Sequence, residues 1–171
     1  LGPRAERLYN ILSRYVTGSA SSFNGHTNVN LDNQYIVLDI SDLTEEMLPI
    51  GMFIVLDYVW DKAREDRTKK KAIFLDELWT LIGANASEEA AKFVLRIFNV
   101  IRAYGGSAIA ATQDLNDFFA LKDGAYGKGI INNSKIKMVL QLEQEEASRV
   151  SETLNLSESE VQQITHFQKG E

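Results

Sequence analysis

The sequence contains no cysteine, two prolines and two histidines among its 171 residues. Without thiols there is no disulfide framework, no thiolate nucleophile and no cysteine-ligated zinc. His26 and His166 are far apart and not at helical spacing, so both read as ordinary loop or surface residues. No apolar run is long enough to span a bilayer. The longest, residues 47–60, contains Pro49, Gly51 and Asp57 and reads as a core helix. Positive charge is also scarce. A net charge of −6 and a pI near 5.0 do not describe a surface that grips nucleic acid by itself. The single basic run, Lys69-Lys70-Lys71, reads as a solvated stretch. A further absence concerns nucleotide chemistry: the phosphate loop G-x-x-x-x-G-K-[ST] occurs nowhere. Gly127-Lys128-Gly129 imitates its centre, but Lys122 stands where the first glycine belongs and Gly129 where a magnesium-binding hydroxyl is needed. Residues 123–129 therefore read as a flexible, glycine-rich surface loop, and the chain alone is not expected to hydrolyse nucleotide.

The chain has ample material for a core, with 44% apolar residues and no repeat, low-complexity tract or linker, so one globular domain over residues 1–171 is expected. Helical spacing of Leu8, Ile11, Leu12 and Tyr15 predicts a helix over 3–16, opened by Pro3. After a polar stretch, 35–40 reads as a buried strand. Thr44, with Glu45 and Glu46 behind it, is a cap for a helix running to about Lys62. A second strand is expected at 72–75. Ser87 caps a helix through Tyr104, with a stripe of Ala91, Val94, Leu95, Phe98 and Ile101, and Gly105-Gly106 ends it. Further strands are expected at 107–112 and 136–142, and helices at 143–154 and after the Ser157/Glu160 capping box. Strands alternating with helices of this length predict an α/β fold, a mostly parallel sheet flanked by helices. The opening inside a helix pattern and the final residues 166–171, which resemble the approach to another strand, suggest a domain truncated at both ends.

The chemistry concentrates in residues 69–113. An apolar strand, Ala72-Ile-Phe-Leu75, ends in Asp76-Glu77, an arrangement that delivers a magnesium-binding Asp and a water-polarising Glu to the C-terminal edge of a parallel sheet. Asp76 would hold Mg²⁺ through a water, and Glu77 would orient the water that attacks a γ-phosphate. The simpler reading is an apolar strand leaving into a polar loop. Gln113, at the end of the next strand, could contact both the γ-phosphate and that water; judged alone it is equally a polar strand terminus. Arg102 stands late on the preceding helix and is a candidate arginine finger toward an adjoining subunit, or merely a cation favoured at a helix C-terminus. Arg149 is a second candidate, but Glu145 and Glu146 lie at the right spacing to pair with it. These residues make an NTPase core the leading expectation.

Five blocks in order carry a family resemblance: 23–28 (Phe-Asn-Gly-His-Thr-Asn), 36–43 (Ile-Val-Leu-Asp-Ile-Ser-Asp-Leu), 74–79 (Phe-Leu-Asp-Glu-Leu-Trp), 102–106 (Arg-Ala-Tyr-Gly-Gly) and 111–113 (Ala-Thr-Gln). Together they resemble the C-terminal half of the TraC-like, VirB-type ATPases of conjugation and type IV secretion, within the HerA/FtsK superfamily. The resemblance implies a RecA-like P-loop NTPase core that uses ATP and Mg²⁺, assembles into a hexamer and hydrolyses ATP at subunit interfaces. It implies work with other secretion-channel components at the cytoplasmic, inner face of the cell membrane, with direct or indirect DNA contact open. By position Asp76 and Glu77 match the second nucleotide motif, Gln113 the motif-three glutamine and Arg102 the arginine finger. The family's phosphate loop lies upstream, so its absence here departs from the pattern. Three other readings stay open: a DNA-pumping coupling protein or chromosome translocase, a non-catalytic scaffold derived from such a motor, and a response-regulator-like signalling domain. The last leaves Gly25-x-Thr27 and Arg102 unexplained.

Overall fold

The structure is a computed structural model that describes residues 2–26, 31–44, 47–84, 86–113, 115–168 and 170. Thr27 and Asn28 of the first block, and Glu45 and Glu46 of the expected second helix's first turn, lie outside the described residues. The chain divides into two compact units, Leu1–Val55 and Leu56–Glu171.

The first unit holds helix α1 (Pro3–Val16), opened by Pro3 as the sequence predicts, and a short 3-10 segment at Ser21–Asn24. None of the α1 residues is buried. Helix α2 (Leu48–Glu65) starts in this unit and continues into the second. Met52, Leu56, Trp60 and Ala63 recur at helical spacing and are its buried hydrophobic side chains, which is the core helix expected from 47–60. No helix among the described residues is long and apolar enough to cross a membrane.

The second unit is built on two parallel strands, β1 (Lys71–Leu75) and β2 (Gly106–Ala110), in the register Lys71↔Gly106 through Leu75↔Ala110. Parallel strands need a crossover. Here it is α3 (Trp79–Ile82), α4 (Glu88–Val100) and a 3-10 extension over Ile101–Tyr104. Ser87 caps α4, its hydroxyl accepting from the Ala90 N–H at 3.1 Å. Gly105 stops the extension in the left-handed region (φ 74°), where a Cβ would also lie 2.7 Å from the Arg67 carbonyl oxygen. Beyond β2 follow α5 (Leu115–Phe118), α6 (Ala125–Asn133), α7 (Gln144–Leu154) and α8 (Glu158–His166), the last opened by the expected Ser157/Glu160 capping box.

Three expectations change. Residues 35–40 and 136–142 form no ladder among the described residues, and Tyr35, Val37, Ile136 and Met138 are exposed. Their apolar runs are a strand signal, yet a strand exists only with a hydrogen-bonded neighbour. Residues 125–129 are not a loop: Gly127 lies buried in α6, where a Cβ would meet the Phe118 carbonyl oxygen at 2.6 Å. The glycine that imitates a phosphate loop therefore serves close helix packing. Lys71, expected in a solvated run, is part-buried, and its ammonium donates to the carbonyls of Ala63 (2.9 Å), Tyr104 (3.0 Å) and Asp66. An ammonium has three protons, and all three are used.

The core beneath one face of β1 and β2 joins Trp60, Ala63, Ile97 and Ile101 with Ile73, Phe93 and Tyr104 around them. Trp60 meets Phe93 and Tyr104 edge-on, at centroid distances of 6.3 and 5.4 Å. Ile97, not named in the sequence stripe, is its fully buried centre. The N-terminus of α4 is tied to 121–124 through Glu88, which takes Lys92 at 2.8 Å and Lys122 at 3.3 Å. Hydrogen bonds from Lys92 and then Lys122 hold its carboxyl below the usual range.

Replacing Lys71 by Met keeps the stem and strands the three carbonyls. Lys71→Met should lower the unfolding free energy in a urea titration by about 2–4 kcal/mol, while Lys70→Met stays within about 0.5 kcal/mol.

Candidate active site

The parallel register brings two strand ends to one edge. The ladder runs one step beyond β2, with Ala111 N–H donating to the Leu75 carbonyl and Leu78 N–H to the Ala111 carbonyl, both at 2.9 Å. Between these two bonds the chain turns at Asp76 and Glu77. Two residues past Ala111, Gln113 faces the turn, and its amide Nε2 donates to Glu77 Oε1 at 2.7 Å. The structure thus places Glu77 and Gln113, 36 residues apart in sequence, in direct contact.

Glu77 adopts φ 48°, a left-handed backbone that costs a residue with a side chain about 1–2 kcal/mol. Its surroundings hold it there. The Glu77 N–H donates to Asp76 Oδ1 at 3.0 Å, and the Glu77 carbonyl accepts from Thr80 N–H at 2.9 Å and Thr80 Oγ1 at 2.8 Å. Leu78, with no exposed surface, anchors the next position in the core. The carboxylate itself is gripped from both sides, since the Trp79 indole Nε1–H donates to Oε2 at 2.6 Å while Gln113 holds Oε1. Sequence reasoning assigned no role to Trp79. The available signal was an indole two residues after the second acid, close enough to reach back across the turn.

Asp76 is exposed and uses one carboxylate oxygen on the turn, leaving the other free. Magnesium keeps several waters and is held by one or two carboxylates together with phosphate oxygens, so a single carboxylate here fits that ion. Among the described residues no group of three His, Asp or Glu side chains could hold a metal alone. A Mg²⁺ at Asp76 would draw its remaining oxygens from water and phosphate.

Arg102 is not at this edge. It sits in the 3-10 extension just before Gly105, beside the N-terminal ends of β1 and β2. Five strand residues separate the two edges, roughly 15–20 Å. Arg102 cannot meet Glu77 of its own chain. Arg149 pairs with Glu145, its i−4 neighbour, and donates to Asn116 Oδ1 at 2.9 Å, as the simpler sequence reading held.

The grip on Glu77 has a direct readout. Of the two indoles, only that of Trp79 should change on Glu77→Ala: its N–H proton resonance should move upfield as the bond is lost, with the Trp60 signal fixed. Equal shifts in both would contradict the contact.

A family model, the TraG P-loop domain, matches residues 5–171. A search of curated proteins finds no match. Among solved structures the chain is similar to VirB4 of Thermoanaerobacter pseudethanolicus, with 27% identity and a TM-score of 0.83 over 96% of this chain. It spans 45% of the length of that protein. The likeness accounts for the α/β, RecA-like architecture and for the resemblance found in the five sequence blocks. With nearly every residue inside the family model, the chain belongs to the TraG P-loop domain family.

Proposed function

We propose that residues 1–171 form the C-terminal portion of one RecA-like ATPase domain, and that the longer protein built on it is a motor energising conjugative transfer or type IV secretion. The observation that carries this reading is the Glu77 carboxylate, held between Gln113 Nε2 and Trp79 Nε1 at the C-terminal edge of a parallel sheet. Such a carboxylate is aimed by its neighbours before any substrate arrives. Membership of a P-loop family supports the same chemistry.

In this reading the γ-phosphate of ATP lies over the edge formed by β1 and β2. Asp76 is the residue that would hold Mg²⁺, which when bound would supply positive charge to the phosphate oxygens. Glu77 positions the attacking water and takes its proton as the water oxygen bonds to phosphorus and the ADP oxygen departs. Gln113 touches Glu77 through an amide that can also donate to phosphate, so it links the state of the nucleotide to the base. Arg102 belongs to the site of an adjoining copy, where its guanidinium meets charge developing on the transferred phosphoryl group. Hydrolysis then depends on self-association, in a hexamer at the cytoplasmic face of the membrane together with other secretion components. The 171 residues contain no phosphate loop, so the reading assigns turnover to the longer chain.

Glu77→Gln in the complete protein should retain ATP binding and lose at least 100-fold in turnover. Unchanged hydrolysis would remove Glu77 from the mechanism. Arg102→Ala should lower turnover of the assembled protein by 10³-fold or more while nucleotide affinity of the monomer stays within twofold. Equal loss of both would contradict action in trans.

A further inference from the structure

At the N-terminal edge of β1 and β2 a shallow pocket of about 300 Å³ is lined by Lys70, Lys71, Arg102, Gly105, Gly106 and Ser107. It lies at the opposite end of the strands from Asp76, Glu77 and Gln113. Three cations line it, but they are not equivalent. The Lys71 ammonium is consumed by the carbonyls of Ala63, Asp66 and Tyr104, so only its stem faces the pocket. Lys70 and Arg102 are exposed, and no hydrogen bond or ion pair with a described residue holds either head group. Two unpaired cations thus flank a glycine-floored concavity in a chain of net charge −6.

We propose that Lys70 acts with Arg102 as a second cation of the same anion site, and that its ligand is the polyphosphate of a nucleotide bound to a neighbouring copy of the chain. The proposal rests on the reading of Arg102 given above and adds Lys70 and the pocket to it. The volume is at the small end of ligand sites and suits a phosphate group better than a whole nucleotide. The nucleotide edge of the same chain is too far away to supply that phosphate. A nucleic-acid backbone is the less favoured anion, because binding one draws on many phosphate contacts and the chain carries a net charge of −6. Lys71 supplies the frame: by bonding the Tyr104 carbonyl it fixes the segment carrying Arg102 against the start of β1, one residue after Lys70. Successive lysines thus have different tasks, one holding the fold and one reaching for a ligand.

The test uses the complete protein and subunit mixing. Lys70→Ala should lower ATP turnover of the assembled protein at least tenfold, with Lys70→Arg restoring most of it and Lys69→Ala, outside the pocket, close to wild type. Mixing Lys70→Ala subunits with Glu77→Gln subunits should restore activity above either alone, because a Lys70→Ala subunit keeps its own Glu77 and borrows Lys70 from the neighbour. Arg102→Ala is mixed with Glu77→Gln in parallel. Rescue in both mixtures supports the proposal. Rescue for Arg102 without rescue for Lys70, or full turnover in Lys70→Ala alone, overturns it and leaves the finger reading standing. Rescue in neither overturns both. Loss of DNA binding in Lys70→Ala with no rescue on mixing would assign the pocket to nucleic acid instead, and likewise overturns the proposal.

Discussion

The register of β1 on β2 is the constraint on which the rest depends. Pairing Lys71 with Gly106 and Leu75 with Ala110 fixes what stands at each end of a two-stranded platform. One ammonium secures that pairing at its start, because Lys71 collects carbonyls from the end of α2, from the turn after it and from the segment before β2. All three carbonyls lie where a helix or turn has run out of N–H partners, the position in which backbone acceptors are most often left over. A part-buried lysine is normally a burden, and here its desolvation is offset by three charge-assisted bonds. A register slip of one residue would send every side chain of a strand to the opposite face and separate Gln113 from Glu77.

At the other end the platform supports a strained residue. Glu77 keeps a left-handed backbone that a glycine would adopt at no steric cost. The side chain proposed as the base is therefore held in place against a local preference, and the compensation is visible: Asp76 and Thr80 bind its backbone, Trp79 and Gln113 its carboxylate. Departures from local rules tend to gather where a protein needs a group aimed at a ligand. The strain at Glu77 and the contacts that oppose it point to the same carboxylate as the Asp-Glu pair in the sequence.

Much of this was legible before the structure. Pro3, Ser87, Gly105 and Ser157 mark helix boundaries through local chemistry, and their signals survive because no tertiary contact is needed to produce them. Asp76, Glu77 and Gln113 were legible as strand ends, and parallel pairing turns strand ends into neighbours. What escaped the reading was relational. Residues 35–40 and 136–142 carry the apolar runs of strands, but a ladder depends on a partner that local pattern cannot supply. The three-lysine run hides two roles, since nothing in its sequence says which ammonium will find carbonyls from positions 63, 66 and 104. Gly127 looked like part of a loop because glycine permits loops; it lies in α6 because Phe118 leaves no room for a Cβ.

The separation of the two edges bears on how such a motor could be regulated. If base and finger lay at one edge, a lone subunit could assemble a complete site and turn over nucleotide without a load. With Glu77 and Gln113 at the C-terminal edge and Arg102 with Lys70 at the N-terminal edge, the proposed reading gives each copy half of two different sites. On that reading catalysis requires a neighbour by geometry alone, with no separate inhibitory device. The same rigid strands that keep the halves apart within one chain connect them mechanically. In the proposed assembly a shift of Arg102 would pass to Tyr104, then through its carbonyl to Lys71, and then to the strand that ends before Glu77. Each link is a backbone segment or hydrogen bond of short reach, which is the kind of contiguous path along which two sites can bias one another.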